Sequence, residues 1–438
     1  MIYRIFLVLL VFPLAAAAES EVTQSAEIRV RGVFEQNPKL NKETKPSSDN
    51  VWKNRLLWGA VFRSSEKFSG KIKAIYYSTW GLDGSSSQHL TSTASATSLV
   101  ERGAEDGLYI LNAYGDWMVS EDFLVRAGRI PIHLGNGMVM GENSYQDIPY
   151  AFDGLQLVFE SDFATLEIYG VKLADYELDS NSFSASSDPE RNLYIVNVGF
   201  KSLPEFIRLA NIHIIKDAQN EVDNVGSLDL NYERRDVNRY GISVGGKLSM
   251  FDYGLTFAQL QGETEEAAVV VKNEASLLDI QLGASFDTFS SRIYFGYHSD
   301  SGDKDGTTDK VDKVYEGFFY EKHENAGLMD FIAWGNLTHL KAGYSFEFTE
   351  DSAMDISYHS FAKTKKEGAY TILSGTTTST SEADLGKEID LSGKFKFDGG
   401  FQITSTLGFF TPGESIKQAN ATLQDSFFQV QLEGVWKF

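Results

Sequence analysis

The sequence predicts an all-β protein, a transmembrane antiparallel β-barrel of about eighteen strands. Three observations favour this fold class: hydrophobicity with a period of two in many segments, connections that alternate between short and long, and a last segment ending in Trp436-Lys437-Phe438. Segments of alternating hydrophobicity separated by turn residues are typical of barrels that cross a membrane with strands. A soluble β-sandwich or propeller has no physical reason to sort its loop lengths in this way.

The amino-terminal segment predicts a secretory signal peptide over residues 1–18. Arg4 precedes an apolar run over residues 5–14, and four alanines follow at 15–18. The run is too short to span a bilayer as a helix. A retained anchor helix is the alternative. We expect cleavage after residue 18 and a single barrel over residues 19–438.

Composition excludes several classes of protein. The chain has no cysteine, so it has neither disulfides nor thiolate metal ligands. Its formal net charge of −22 argues against a general nucleic-acid binder. The seven histidines form no H-E-x-x-H pair, so we do not expect an enzyme.

Eighteen strands are predicted along the chain. In an outer membrane, the apolar face of each strand would meet lipid and the charged face would line a wet lumen. Near the carboxyl terminus, for example, Ile389 and Leu391 alternate with Glu388 and Asp390. The predicted strands are 26–35, 51–63, 67–77, 107–119, 122–130, 152–160, 163–174, 190–201, 206–217, 236–249, 252–262, 275–287, 290–299, 335–349, 352–362, 386–397, 400–411 and 424–438.

The connections between these strands alternate strictly in length. Transmembrane barrels pair short periplasmic turns with long outer loops, so we expect an integral, multi-pass protein of the outer membrane of a Gram-negative bacterium. The long connections are predicted at 36–50, 78–106, 131–151, 175–189, 218–235, 263–274, 300–334, 363–385 and 412–423. Many of their residues are acidic, which predicts an acidic mouth; the alternative is that these loops are simply solvated.

Strand number predicts the width of the lumen. Sixteen to eighteen strands leave an aqueous channel, whereas eight leave room only for side chains. The inward face of this barrel is predicted to be mixed and slightly basic. Its basic residues include Arg29, Arg31, Arg55, Arg63, Lys73, Arg126 and Arg292.

Several motifs resemble the alginate-export family of outer-membrane barrels. The resemblance implies an eighteen-stranded barrel, which matches the number counted from the strand pattern. The matching residues are Ala113-Tyr114-Gly115-Asp116, Gly128-Arg129, Gly135-Asn136-Gly137, Gly141, Phe152-Asp153-Gly154, Ala326-Gly327-Leu328-Met329 and Gly408-Phe409-Phe410-Thr411-Pro412-Gly413.

The chain departs from this family's pattern at three positions. The family carries a polar residue and further arginines where this chain has Ile130, Val139 and Ala151. Guanidinium groups suit the passage of polyanions because they pair with carboxylates. We therefore interpret the chain as a relative whose pore is less committed to polyanions.

The family motifs also predict a selectivity site. We expect Arg126, Arg129, Asp116 and Asp153 to form a charged cluster near the constriction. The alternative is that Arg129 and Asp153 form a structural pair that holds the adjoining loop. Terminal Phe438 is expected to be the signal read by the barrel-assembly machinery, by resemblance to secreted barrels.

One acidic loop partly mimics a calcium site. Residues 301–312 place Asp303, Asp305 and Asp309 in a pattern like that of a calcium-binding loop, although the first position is serine and the twelfth aspartate. The alternative is a plain acidic loop. No other cofactor is expected.

Three functions remain open from the sequence. The first is a water-filled channel, surrounded by outer-membrane lipid, for passive diffusion of small hydrophilic or anionic solutes, including oligosaccharides. The second is a dedicated exporter of an anionic polysaccharide such as alginate. The third is a surface-structural or adhesive barrel whose lumen is blocked by loop 300–334. The sequence does not predict the oligomeric state.

Overall fold

The first and last strands of the chain pair and close an antiparallel barrel. The predicted signal peptide lies outside the residues that the computed structural model describes. The described residues are 21–38, 40, 48–80, 107–172, 191–219, 234–266, 269–304, 309–317, 319–372, 377–378, 380–420 and 422–438.

Eighteen barrel strands lie in these ranges, and their number and antiparallel order confirm the predicted fold class. They are β1 (Glu21–Gln36), β2 (Ser48–Arg63), β3 (Phe68–Trp80), β4 (Gly107–Ser120), β5 (Phe123–Ile130), β6 (Phe152–Glu160), β7 (Ala164–Lys172), β8 (Arg191–Phe200), β9 (Ile207–Gln219), β10 (Arg234–Leu248), β11 (Phe251–Glu266), β12 (Val269–Phe286), β13 (Ser291–Asp300), β14 (Leu337–Thr349), β15 (Ser352–Lys363), β16 (Asp384–Phe397), β17 (Phe401–Pro412) and β18 (Phe427–Lys437).

The other described elements are short. The strand Val311–Asp312 pairs in parallel with β12, and Tyr370–Thr371 pairs with Thr377–Thr378. The helices are α1 (Lys322–Asn325) and α2 (Glu414–Ala419), with 3-10 turns at Thr288–Ser290 and Asp398–Gly400. None of the helices in the described ranges is long and apolar enough to cross a membrane.

Closure of the barrel depends on β1, which pairs with β2 on one side and β18 on the other. The register with β18 runs from Glu27 opposite Lys437 to Gln36 opposite Phe428. The last residue extends the ladder, because the Phe438 N–H donates to the Ala26 carbonyl at 2.9 Å. The closing strand therefore leaves no open edge facing lipid.

The outer face carries large apolar side chains that stand exposed on the barrel. On β18 these are Phe428, Leu432 and Trp436, and Phe438 continues the same face. Such a continuous apolar surface requires lipid to cover it. The opposite face of β18 carries Gln429 and other polar residues that are buried inside the barrel.

The predicted long loop at residues 263–274 is wrong. β11 and β12 pair without interruption up to Glu266 opposite Val269, so that only residues 267–268 connect them. Residues 269–271 are three consecutive valines, a residue type that favours strands, and cross-strand pairing stabilises the extension. The wall is therefore taller here than at β6 and β7, which have nine residues each.

Candidate functional site: a lumen filled by two loops

Two long loops enter the barrel and meet inside it. Residues 131–151 connect β5 to β6, and residues 301–336 connect β13 to β14. Their described parts are called the plug below. Apolar side chains of both loops are buried in one cluster with inward residues of the wall, so the plug has a core of its own. The plug residues in this cluster are Ile132, Leu134, Met138, Val139, Met140, Tyr315, Tyr320, Ala326, Met329, Phe331, Ile332 and Trp334.

The plug core also accounts for the missing arginines. Ile130 and Val139 are buried in this cluster, and Ala151 is buried in a second apolar cluster beside Leu57 and Ile75. A guanidinium at any of the three positions would lose its hydration without a partner, at a high cost.

The two loops are joined at Glu321. Its carboxylate accepts the Asn143 N–H at 2.8 Å, and its own N–H donates to the Gly137 carbonyl at 3.1 Å. The Gly141 N–H donates to the Phe319 carbonyl at 2.7 Å. A Cβ atom on Gly137 or Gly141 would lie 2.7 Å from Cγ of Glu321, and Gly137 also has a φ of +76°. The glycines of this motif therefore make room for Glu321.

Three buried arginines of the barrel wall hold the first loop. Arg29, Arg31 and Arg55, named the arginine cluster here, lie on the inward faces of β1 and β2. Arg29 donates to the carbonyls of residues 145 and 146 at 2.9 and 3.1 Å, and Arg31 donates to that of residue 145 at 3.0 Å. Arg55 donates to the carbonyls of residues 144 and 146, each at 3.1 Å. The sequence placed these arginines in the lumen but did not reveal that they bind a loop.

A carboxylate of the same loop lies against this wall. Asp147 is 2.8 Å from Nζ of Lys53 and 3.2 Å from Nη2 of Arg29. The Tyr77 hydroxyl donates to it at 3.2 Å. Burial acts to raise the pKa of Asp147, but the charges of Lys53, Arg31 and Arg29 lower it to about 2. Asp147 is therefore ionised throughout the physiological pH range.

The second loop is held by an ion-pair network on β8–β10. Asp217 is fully buried and pairs with Arg191 at 2.7 Å and with Arg235 at 2.8 Å. Glu316 of the plug binds Arg235 and also accepts from Arg239 at 2.8 Å. Burial acts to raise the pKa of Glu316, yet Arg235 and Arg239 hold it below its usual range.

Carboxylates of two further wall strands, β13 and β16, also bind backbone N–H groups of the second loop and its end. Asp300 accepts the N–H groups of Gly335 and Leu337 at 3.0 and 2.6 Å. On β16, Glu388 accepts the Met329 N–H at 3.1 Å and Asp390 accepts the Leu328 N–H at 3.2 Å. The plug is thus fixed to β1–β2, β10, β13 and β16, on several sides of the lumen.

Two predicted basic residues form ion pairs inside the barrel, close to its short-turn end. Arg126 binds Asp116 through two hydrogen bonds of 2.6 and 3.0 Å. Arg292 binds Asp252 in the same way at 2.9 and 2.6 Å. The side chains of Arg126 and Arg292 are 24% and 34% exposed, respectively, so solvent reaches this part of the lumen.

The predicted cluster of Arg126, Arg129, Asp116 and Asp153 does not form. Only Arg126 and Asp116 face the lumen. Arg129 and Asp153 bind each other at 2.8 and 2.6 Å, but on the outer face of the barrel. Side chains alternate along a strand, so Arg129, three residues after inward-facing Arg126, points outward. Asp153 shares its face with the exposed Leu155. The contact between Arg129 and Asp153 agrees with the alternative interpretation, in which these two residues form a structural pair.

The other two predicted pore residues are Arg63 and Lys73. Arg63 is 65% exposed at the short-turn end, 3.8 Å from a carboxylate oxygen of Glu21. Lys73 lies on the inward face of β3, opposite Asn112 of β4.

The calcium interpretation stays a prediction, because Asp305 lies outside the described residues. Asp303 accepts the Lys313 N–H at 3.2 Å, and Asp309 is 3.3 Å from Nζ of the same lysine. Across the described ranges, no group of three or more His, Asp or Glu side chains could hold a metal ion. Much of the predicted acidic mouth also lies in ranges that are not described.

The closed barrel, its apolar outer face and its polar interior define an integral, multi-pass β-barrel protein of the outer membrane. The chain belongs to the alginate export family, whose sequence profile matches residues 20–429. The predicted family resemblance is thereby confirmed.

Solved structures of outer-membrane porins share the fold. OccK8 (OprE) of Pseudomonas aeruginosa has a TM-score of 0.59 and 11% identity, over 95% of this chain and 98% of that one. OccAB2 of Acinetobacter baumannii has a TM-score of 0.58 and 11% identity, with the same coverage. OccK3 (OpdO) of P. aeruginosa has a TM-score of 0.56 and 14% identity, over 95% of each chain. No curated protein sequence matches the chain at a significant level.

Proposed function

We propose that the protein is a porin, a water-filled channel for the passive diffusion of small hydrophilic and anionic solutes. The observation that carries the proposal is the charged interior near the short-turn end, where Arg126, Arg292 and Asp252 remain partly exposed. In a dry lumen these ion pairs would have lost most of their hydration. Their partial exposure therefore supports a water-filled interior at this end of the barrel. The plug and the arginine cluster above this region narrow the path and favour anions.

Liposome swelling tests this function. Vesicles that contain the purified barrel are expected to swell in isotonic solutions of small sugars, and faster with a sugar acid than with an amino sugar of equal size. A folded barrel that admits none of the three solutes contradicts the proposal.

Export of an anionic polysaccharide is the second candidate, and the family membership favours it. A dedicated exporter should pass a long uronate polymer as readily as a trimer. The passive channel should pass only short oligomers, because the plug is fixed to several sides of the lumen. A blocked, adhesive barrel should pass neither.

The remaining assignments concern the membrane and the chemistry. The family and the fold are those of transport barrels rather than enzymes, and we assign no catalytic residue.

Phe438 is proposed as the residue that the barrel-assembly machinery recognises. Its ring is exposed on the outer face and stacks on Trp436 at a centroid distance of 5.2 Å.

A further inference from the structure

Two acidic side chains of β16 lie together where the barrel wall meets the plug. Glu388 and Asp390 are two positions apart on one strand, so they share its inward face, and both are fully buried. Each also holds the plug, because the Met329 N–H donates to Glu388 and the Leu328 N–H donates to Asp390. This acid pair is therefore part of the surface that docks the second loop.

The acid pair lacks the cations that balance the other buried acids of the plug contact. Asp217 and Glu316 are bound by three arginines. Among the described residues, the ion-pair contact of the acid pair is with a histidine, since Nε2 of His359 lies 3.3 Å from Asp390. His359 is in turn bonded to His339 at 2.9 Å. Two carboxylates that were both ionised here would be buried at a high cost.

The other charged groups around the acid pair do not neutralise it. Asp330 and His323 of the plug, which are 3.0 Å apart, act on the pair electrostatically, as does Lys341 of β14. On the other side, β17 places Gly408 and Phe410 opposite the pair, and neither is charged. With neutral histidines and ionised acids, three carboxylates would face one lysine.

One oxygen of each carboxylate has no donor. Oε2 of Glu388 and Oδ1 of Asp390 are buried without a hydrogen-bond partner in the described part of the chain. A Cβ on Gly327 would lie 3.0 Å from the first oxygen, and a Cβ on Gly408 would lie 3.2 Å from the second. Both glycines belong to the family motifs, and their backbone lies against the pair. A proton that one carboxyl group donates to the other satisfies these oxygens without added volume.

We propose that Glu388 and Asp390 share one proton when the plug is docked, and that this proton locks residues 327–330 onto β16. The docked pair keeps a proton that a hydrated, undocked pair would release, so docking weakens as the pH rises. Once both carboxylates are ionised they repel each other, water enters, and this side of the plug leaves the wall. The effect on permeation rests on the proposed channel function: the conductance is low in acid and higher in base.

Glu388→Gln tests the lock, because glutamine has nearly the same shape, offers the Met329 N–H a neutral acceptor and cannot ionise. In planar bilayers the wild-type conductance should rise as the pH is raised from mildly acid to mildly alkaline, and the variant should lose this rise. Glu347→Gln is the matched control, since Glu347 is an exposed acid of β14, and it should keep the wild-type response. The proposal is overturned by a wild-type conductance that is constant or falls with rising pH, and equally by an unchanged rise in Glu388→Gln.

Hydrogen exchange gives a second readout that needs neither a variant nor a conducting channel. After correction for the intrinsic effect of pH on exchange, the amides of Leu328 and Met329 should exchange on the order of tenfold faster in mild alkali than in mild acid, since a hydrogen bond to a charged group contributes about this much. Equal exchange at the two pH values contradicts the lock. Failure of the channel function is distinguishable, because then the protein does not conduct at any pH while these two amides still respond.

Discussion

Replacing Glu316 with glutamine is expected to release loop 301–336 from β10. Glu316 and Asp217 together balance three arginines, of which Arg239 is fully buried. Removing one partner of a buried ion pair costs about 3–5 kcal/mol, because the remaining charge is left uncompensated. Since 1.4 kcal/mol corresponds to a factor of ten, a cost of about 3 kcal/mol lowers the docking equilibrium on the order of 100-fold.

Hydrogen exchange measured by mass spectrometry reports this equilibrium directly. The Tyr315 N–H donates to the Ser301 carbonyl at 2.9 Å, and the Ser301 N–H donates to the Ser276 carbonyl of β12 at 2.8 Å. Because Ser301 is held on the wall, protection of the Tyr315 amide depends on a docked loop. In Glu316→Gln, this amide should exchange on the order of 100-fold faster, while amides of β9 stay protected.

The matched control is Asp309→Asn in the same loop. Asp309 pairs with Lys313 at 3.3 Å, and both side chains are about 40% exposed, so solvent screens the pair and it contributes little to docking of the loop. Equal exchange of the Tyr315 amide in the two variants would refute the reasoning about the buried network.

Three further predictions concern the loop joint, the outer ion pair and the terminus. Gly141→Val should push Glu321 away and speed exchange of the Asn143 amide on the order of tenfold, since a typical hydrogen bond contributes about 1 kcal/mol; unchanged exchange would contradict the joint. Arg129→Ala should leave the reversal potential in a salt gradient unchanged, whereas Arg126→Ala should shift it towards cations; the opposite pattern would place Arg129 in the pore. Deletion of Phe438 should lower the yield of heat-modifiable barrel in the outer membrane, and a normal yield would count against its role in assembly.

Much of the barrel can be predicted from the sequence because each strand carries its own signal. Period-two hydrophobicity is local, and the closing strand ends in aromatic residues on the lipid face. The alternation of side chains along a strand would also have removed Arg129 from the predicted selectivity cluster. Arg126 and Arg129 are an odd number of positions apart in one strand, so only one of them can face the lumen.

The plug could not be predicted because its contacts are not local. Glu321 meets Gly137 and Gly141 nearly two hundred positions away in the chain, and no periodicity connects them. A glycine motif permits a close approach of another side chain but does not identify that side chain. Likewise, three valines extended β11 and β12 where acidic residues suggested a loop.

Single-channel recording from the purified, refolded protein in planar bilayers tests the central claim most directly. The account predicts discrete current steps in potassium chloride and a reversal potential in a salt gradient that favours chloride. A folded, heat-modifiable barrel that inserts into the bilayer and never conducts would contradict it.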